Sequence, residues 1–208
     1  MPEIRYIGRA NLAKRLGALE GTPGRMAYAG GSARIELDEA ILTVTPPFGL
    51  EHEGEYEVVR AGPLLDALDA SPRVAVLLVR MGGYAVGVFE GERLIVSKVG
   101  TRFVKGRHKK GGSSSNRFRR RRDEQARALI SEAADTAVRV LDPWRERVEH
   151  VALGGDRAAV RQVLADPRLD WVEAKALPRF FTTPDPRHRD LERLPYDLYA
   201  AQLTTTSS

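Results

Sequence analysis

The sequence predicts an α/β protein: a mixed five-stranded sheet with flanking helices, preceded by a small N-terminal α/β subdomain. Three observations carry this reading. Val74-Ala75-Val76-Leu77-Leu78-Val79 is an unbroken apolar run, as a strand buried on both faces requires. Two more strand-like stretches, from Tyr84 to Glu90 and from Leu94 to Val99, follow it across the tight turns Met81-Gly82-Gly83 and Gly91-Glu92-Arg93, giving an antiparallel meander. Ala126, Leu129, Ile130, Ala133, Ala134, Ala137, Val138 and Leu141 then recur at helical spacing and trace one apolar stripe.

The remaining elements follow in order. Asn11 to Glu20 reads as a short helix with Leu12, Leu16 and Leu19 on one side, stopped by Gly21-Thr22-Pro23-Gly24. Arg34 to Asp38 alternates as a strand, and the β-branched stretch Ile41 to Thr45 pairs with it before Pro46-Pro47. A helix spans Pro63 to Leu68. Beyond the long helix, which Asp142-Pro143 stops, Val148 to Leu153 is a buried strand. Gly154-Gly155 turns the chain, and Asp156 caps a short helix from Ala158 to Leu164. Trp171 to Ala174 is expected as the last strand. The division is an N-terminal subdomain over 1–70, a central domain over 71–180, and a C-terminal extension over 181–208 whose end, Thr204 to Ser208, is expected to fray.

The 208 residues include no cysteine, which removes disulfides and thiolate metal sites and points to a reducing compartment. The start lacks the apolar run of a signal peptide, and no stretch is long enough to span a bilayer, so a soluble cytoplasmic protein is expected. The formal net charge is +5, yet ten Lys or Arg residues and no acid lie between Arg102 and Arg122, which leaves −5 for the rest of the chain. Concentrated charge of one sign favours a polyanionic partner.

Within that basic segment stands Lys109-Lys110-Gly111-Gly112-Ser113-Ser114-Ser115-Asn116-Arg117-Phe118, running into Arg119, Arg120, Arg121 and Arg122. Two glycines at a loop tip, cations on either side and a helix start suit a loop pushed into RNA. A Gly-Ser run by itself is more often a flexible linker. The Asn-Arg-Phe that follows, the helix and the preceding meander reverse that judgement.

These residues resemble the central domain of eukaryotic and archaeal class-1 peptide-chain release factors. Those carry Gly-Gly-Gln followed by Ser-Ala-x-Arg-Phe, and Gly111 to Phe118 aligns with it without a gap. Val151-Ala152-Leu153-Gly154-Gly155 resembles a later strand and turn of the same domain. The resemblance covers about half the chain, and no counterpart of a stop-codon-reading domain is found. The serine-rich loop is closer to a sister group, the Vms/ANKZF-type (VLRF) release factors of ribosome quality control and their stand-alone bacterial relatives. The abundance of Arg, Ala, Gly and Val fits an actinobacterial member.

The resemblance implies an RNase H-like fold, the large ribosomal subunit and its rRNA as partners, peptidyl-tRNA as substrate, no cofactor and a monomeric chain. Ser113 stands where the family has glutamine, so roles built on that side-chain amide do not carry over. What carries over is the glycine pair, Gly111 and Gly112, which shapes the loop; the chemistry of ester hydrolysis adds the Ser113 backbone amide as a hydrogen-bond donor, with the Ser113, Ser114 and Ser115 hydroxyls ordering water or capping the helix. Lys105, Arg107, Lys109, Lys110, Arg117 and Arg119 to Arg122 are the expected phosphate contacts.

Two alternatives stand beside ester hydrolysis: cleavage of the tRNA near its 3′ end, and a non-catalytic RNA-binding role. Metal-dependent nuclease chemistry fits poorly, because the strand from Val74 to Val79 carries no acid. His108, a lone loop histidine among cations, reads as a phosphate contact or as a residue that binds nothing, rather than as a base. Trp144 and Trp171 read as packing residues, and the loosely spaced Asp185, His188 and Asp190 read as a solvated turn.

Overall fold

The computed structural model describes residues 3–38, 40–101, 114–184 and 186–207. The chain forms two compact units: unit 1 comprises residues 1–71 with 194–208, and unit 2 comprises 72–193.

Unit 1 contains strands β1 (Glu3–Gly8), β2 (Pro23–Ala29), β3 (Ser32–Glu36), β4 (Ala40–Thr45) and β5 (Gly54–Val58), with helices α1 (Arg9–Leu19) and α2 (Gly62–Asp69). The Thr22 hydroxyl donates to the Leu19 carbonyl at 2.7 Å and closes the turn after α1. A sixth strand comes from the far end of the sequence, residues 200–207, and lies between β1 and β4 in the order β1, C-terminal strand, β4, β3, β2, β5. All neighbours are antiparallel. Alternation on β3 buries Ala33 and Ile35, which join Met26, Tyr28, Val44 and Ala201 beneath Leu12 and Leu16 of α1 and Leu64 and Leu68 of α2. Tyr28 donates its hydroxyl to the Arg60 carbonyl, and burial pushes its phenol up to about 12.

Unit 2 is built on β6 (Arg73–Arg80), β7 (Gly83–Glu90), β8 (Arg93–Thr101), α3 (Ser114–Leu141), β9 (His150–Gly155), α4 (Arg157–Leu164), α5 (Asp170–Ala174) and β10 (Ala176–Phe181). The sheet order is β10-β9-β6-β7-β8. The meander β6-β7-β8 is antiparallel, whereas β9 runs parallel to β6 and β10 parallel to β9. This is the mixed five-stranded sheet expected. Val74 to Val79 are buried throughout, and Ala75, Leu77 and Val79 meet Leu129, Ala133, Ala137 and Leu141 of α3. Trp171 lies in this core and Trp144 packs against it, as expected of packing residues.

Gly155 makes the passage from β9 to α4 possible. Its φ is +100°, and a Cβ there would stand 2.1 Å from the Val79 carbonyl oxygen. Asp156 then caps α4, its carboxylate accepting from the Ala159 amide at 2.8 Å.

Two expectations are corrected. Trp171 to Ala174 belongs to the short helix α5, and the last strand of this sheet is β10, which includes Pro178. Proline is tolerated there because β10 is an edge strand, where one row of amides has no partner strand. The C-terminal extension is no separate segment. Helix α6 (His188–Leu198) spans the boundary between the units, and β11 (Ala200–Ser207), the sixth strand of unit 1, takes in most of the stretch expected to fray. Its threonines are β-branched and fit a pleated sheet, with Gln202 to Ser207 in continuous register against β4.

Deleting residues 200–208 is therefore expected to unfold unit 1 rather than trim a tail. Circular dichroism and limited proteolysis check this: a truncated chain with native resistance of residues 3–71 would contradict the register described.

Candidate functional site

The residues singled out in the sequence fall in three places. Lys105, Arg107, Lys109, Lys110, Gly111, Gly112 and Ser113 lie outside the described residues, as does His108. Ser114, Arg117 and Arg119 are on the first turns of α3, where the backbone alone is described. Arg120 and Arg121 are exposed on α3, and Arg122 is half-buried with its guanidinium 3.7 Å from the Asp123 carboxylate. The basic segment 102–122 is helical from Ser114 onward. After Gly112 no glycine or proline interrupts the chain until Pro143, and arginine is a good helix former.

The long helix has two different halves. At 28 residues it extends about 42 Å. Buried side chains begin at Leu129, and from Arg120 to Ala128 none is fully buried. The backbone from Ser114 to Ala128, an arm of about 22 Å, thus carries no fully buried side chain among those described, and the C-terminal half of the helix anchors it.

The start of this arm is electrostatically unfavourable on its own. The first turn carries no acid. The N-terminal end of a helix disfavours cations by roughly 0.3–1 kcal/mol each within the first turn, which here holds Arg117. Like charges at i, i+3 and i, i+4, such as Arg117 with Arg120 and Arg121, add about 0.2–0.5 kcal/mol of repulsion per pair. An anion bound alongside relieves both costs.

On its other side the basic segment follows the end of β8, and one tyrosine ties that end to the anchored half of α3. Tyr84 on β7 sits opposite Gly100, one residue before the end of β8. A Cβ on Gly100 would lie 2.3 Å from the Tyr84 ring, so only glycine lets the ring cross the strand. Across it, the Tyr84 hydroxyl donates to the Glu132 carboxylate at 3.1 Å and lies 3.0 Å from the Thr136 hydroxyl, both on α3. Arg139 donates to the same Thr136 oxygen at 3.3 Å. Burial, partly offset by the Thr136 hydrogen bond and reinforced by Glu132, pushes the Tyr84 phenol above its ordinary value. No sequence signal marked this clasp, because Gly-Tyr-Ala reads as ordinary strand.

Among the described residues no group of three or more His, Cys, Asp or Glu side chains is placed to hold a metal ion. Asp190 accepts from the Arg187 amide at 2.9 Å, and His188 lies 3.5 Å from the Glu192 carboxylate. Asp185 lies outside the described residues. No helix among them is long and apolar enough to cross a membrane.

Comparison with known proteins adds family information. The family model described as the Actinobacteria/Chloroflexi VLRF1 release factor matches residues 72–204. Peptide chain release factor subunit 1 of Archaeoglobus fulgidus is 27% identical over 93 residues, covering 45% of this chain and 23% of that protein. Its counterpart in Aeropyrum pernix is 26% identical over 165 residues, covering 66% and 44%. The chain thus spans less than half the length of these curated relatives. Among solved structures, the archaeal translation termination factor aRF1 superposes with a TM-score of 0.44 at 15% identity, covering 77% of this chain and 49% of that one. The Vms1 mitochondrial localization core gives 0.48 at 11%, covering 93% and 80%.

Replacing Tyr84 by Phe keeps the ring over Gly100 and removes the hydroxyl, with an expected loss of about 1–2 kcal/mol in urea denaturation at neutral pH. Because the folded phenol is harder to ionise than the unfolded one, its contribution is complete below the ordinary value of 10.0 and is lost as pH rises through the folded value. The wild-type chain should therefore lose more stability than Tyr84→Phe between neutral pH and pH above that point.

Proposed function

As the chain belongs to the Actinobacteria/Chloroflexi VLRF1 release-factor family, we propose that it acts on the ribosome in the cytoplasm and frees nascent chains by hydrolysing the peptidyl-tRNA ester, without reading a stop codon. The observation that carries this is the family match itself. It extends over residues 72–204 and so takes in the basic segment, the whole of α3 and the sheet that anchors them. The long helix supports the reading, since its described start at Ser114 follows the glycine pair directly in sequence.

In this reading the reaction asks little of side chains. Water attacks the ester carbonyl carbon, the bond to the ribose oxygen breaks, and the tRNA hydroxyl leaves with a proton. In the peptidyl-transferase centre the ester is already positioned by RNA. The protein has only to admit one water and supply a donor where negative charge develops. One backbone N–H so placed contributes about 2.7–4 kcal/mol in the transition state. Gly111 and Gly112 allow close approach of the main chain, the Ser113 amide is the donor, and the Ser113 and Ser114 hydroxyls order the water. Lys105, Arg107, Lys109, Lys110, Arg117 and Arg119 to Arg122 pair with rRNA and tRNA phosphates on the large subunit, the chain acting as a monomer.

The test is to add purified protein to ribosomes carrying labelled peptidyl-tRNA with no stop codon, and to resolve peptide and RNA products together. Free peptide with an intact tRNA 3′ end is expected. Peptide attached to a short 3′ fragment would replace ester hydrolysis by tRNA cleavage, and binding without product would favour a non-catalytic role. Gly112→Val should lower release by at least about a hundredfold, the effect of displacing the Ser113 amide, with ribosome binding retained. Unchanged release would remove the glycine pair from the mechanism.

A further inference from the structure

The end of the unit 2 sheet that hands β8 over to the basic segment holds a second set of cations, which the sequence did not mark. Arg80, Gly83 and Thr101 are paired in one row across β6, β7 and β8, and Val79 is level with Gly155 of β9. On β10, Phe181 is level with Gly154. This rim is therefore continuous from β10 to β8, about 19 Å at the usual strand spacing.

Two arginines flank the turn between β9 and α4 on this rim. Arg80, the last residue of β6, reaches across the end of β9 and donates through Nη1 to the Thr183 carbonyl at 2.7 Å. Arg157, the first residue of α4, lays its guanidinium 4.3 Å from the centre of the Phe180 ring. Each side chain is exposed and held at one point. Among the described residues neither has a carboxylate within ion-pair distance; the nearest acid in sequence, Asp156, is engaged by the Ala159 amide. The Thr183 hydroxyl, 6% exposed, has no hydrogen-bond partner among the described residues, and it belongs to the residue that Arg80 grips.

A guanidinium stacked on an aromatic face keeps a fixed plane while its N–H edge remains available, which suits bidentate binding of a phosphate. The stacked Arg157 and the hydrogen-bonded Arg80, on either side of one turn, can address neighbouring phosphates of a single chain. From this we infer that the Arg80–Arg157 rim is a phosphodiester-binding site, distinct from the loop and the arm, which seats an RNA backbone. The ligand is RNA, from rRNA or tRNA. The inference goes beyond the release reading, because it requires no catalysis by the loop.

The experiment measures binding of the full chain to purified large ribosomal subunits and, separately, to deacylated tRNA across a salt series. Arg80→Ala/Arg157→Ala should weaken binding about tenfold and reduce the slope of log affinity against log salt by about 1.4, the value for two single-strand phosphates. Phe180→Leu keeps both charges and frees Arg157, so it should weaken binding less and leave the slope nearly unchanged. A loss confined to subunits assigns the site to rRNA, and a loss with tRNA assigns it to tRNA. Should the double variant lose its native circular dichroism, Arg157→Glu, which leaves the Arg80 contact intact, must show the same direction of change. Unaltered affinity and slope with both RNAs would overturn the site. Reduced RNA binding in a chain that releases no peptide would leave the site standing and sink the release reading instead.

Discussion

Strand β6 is apolar on both of its faces, and burying both is the constraint from which the arrangement of unit 2 follows. Val74 to Val79 are all at most 1% exposed, which no edge strand with one wet face could achieve. The strand must lie inside the sheet, and it does, with β7 on one side and β9 on the other. It must also be roofed, and the apolar stripe of α3 supplies that layer. The meander then carries the chain two strands outward to β8, whose end is one root of the basic segment. The other root is the helix that covers β6. The two described flanks of the segment thus belong to one core.

Local preferences agree with the fold along the anchored half of α3 and conflict with it at the free end. Leu129 to Leu141 bury a continuous stripe, whereas the first turns gather arginines where the helix dipole and their mutual repulsion oppose them. The anchored half offsets that cost, since each fully buried leucine contributes roughly 1.5–3 kcal/mol. Conflict between local and global preference is expected where a protein is built for a partner rather than for stability alone. Here the missing element is negative charge along the first turns of the helix.

Most of unit 2 was legible in the sequence, because its signals are local. The apolar run of β6, the turn glycines, the helical stripe and the Asp156 cap each sit within a few residues of what they determine. Unit 1 was half legible. Its β3 and β4 were expected close to where they lie, but β1, β2 and β5 went unmarked. β11 looked like a polar tail because its partners β1 and β4 are more than 150 residues away in the sequence. The strand at β10 was masked by Pro178, and Trp171-Val172 drew the assignment one element too early. At the site, the glycine pair and the arginines could be read as a motif. The Tyr84 clasp and the stacking of Arg157 on Phe180 exist only once distant strands are aligned.

The pairing of β11 with β1 and β4 also sets an order of events during synthesis. Unit 2 is contiguous, so all of its strands have been made by residue 181. Unit 1 lacks an inner strand until residues 200–207 emerge, and until then the flanks of β1 and β4 stay open. Closing a loop that long costs entropy that only the finished sheet repays. The newly made chain therefore passes through a stage in which unit 2 is complete while unit 1 exposes unpaired strand edges, the state most prone to wrong association. Residues 200–207, made after every strand of unit 2, act as the bolt between β1 and β4.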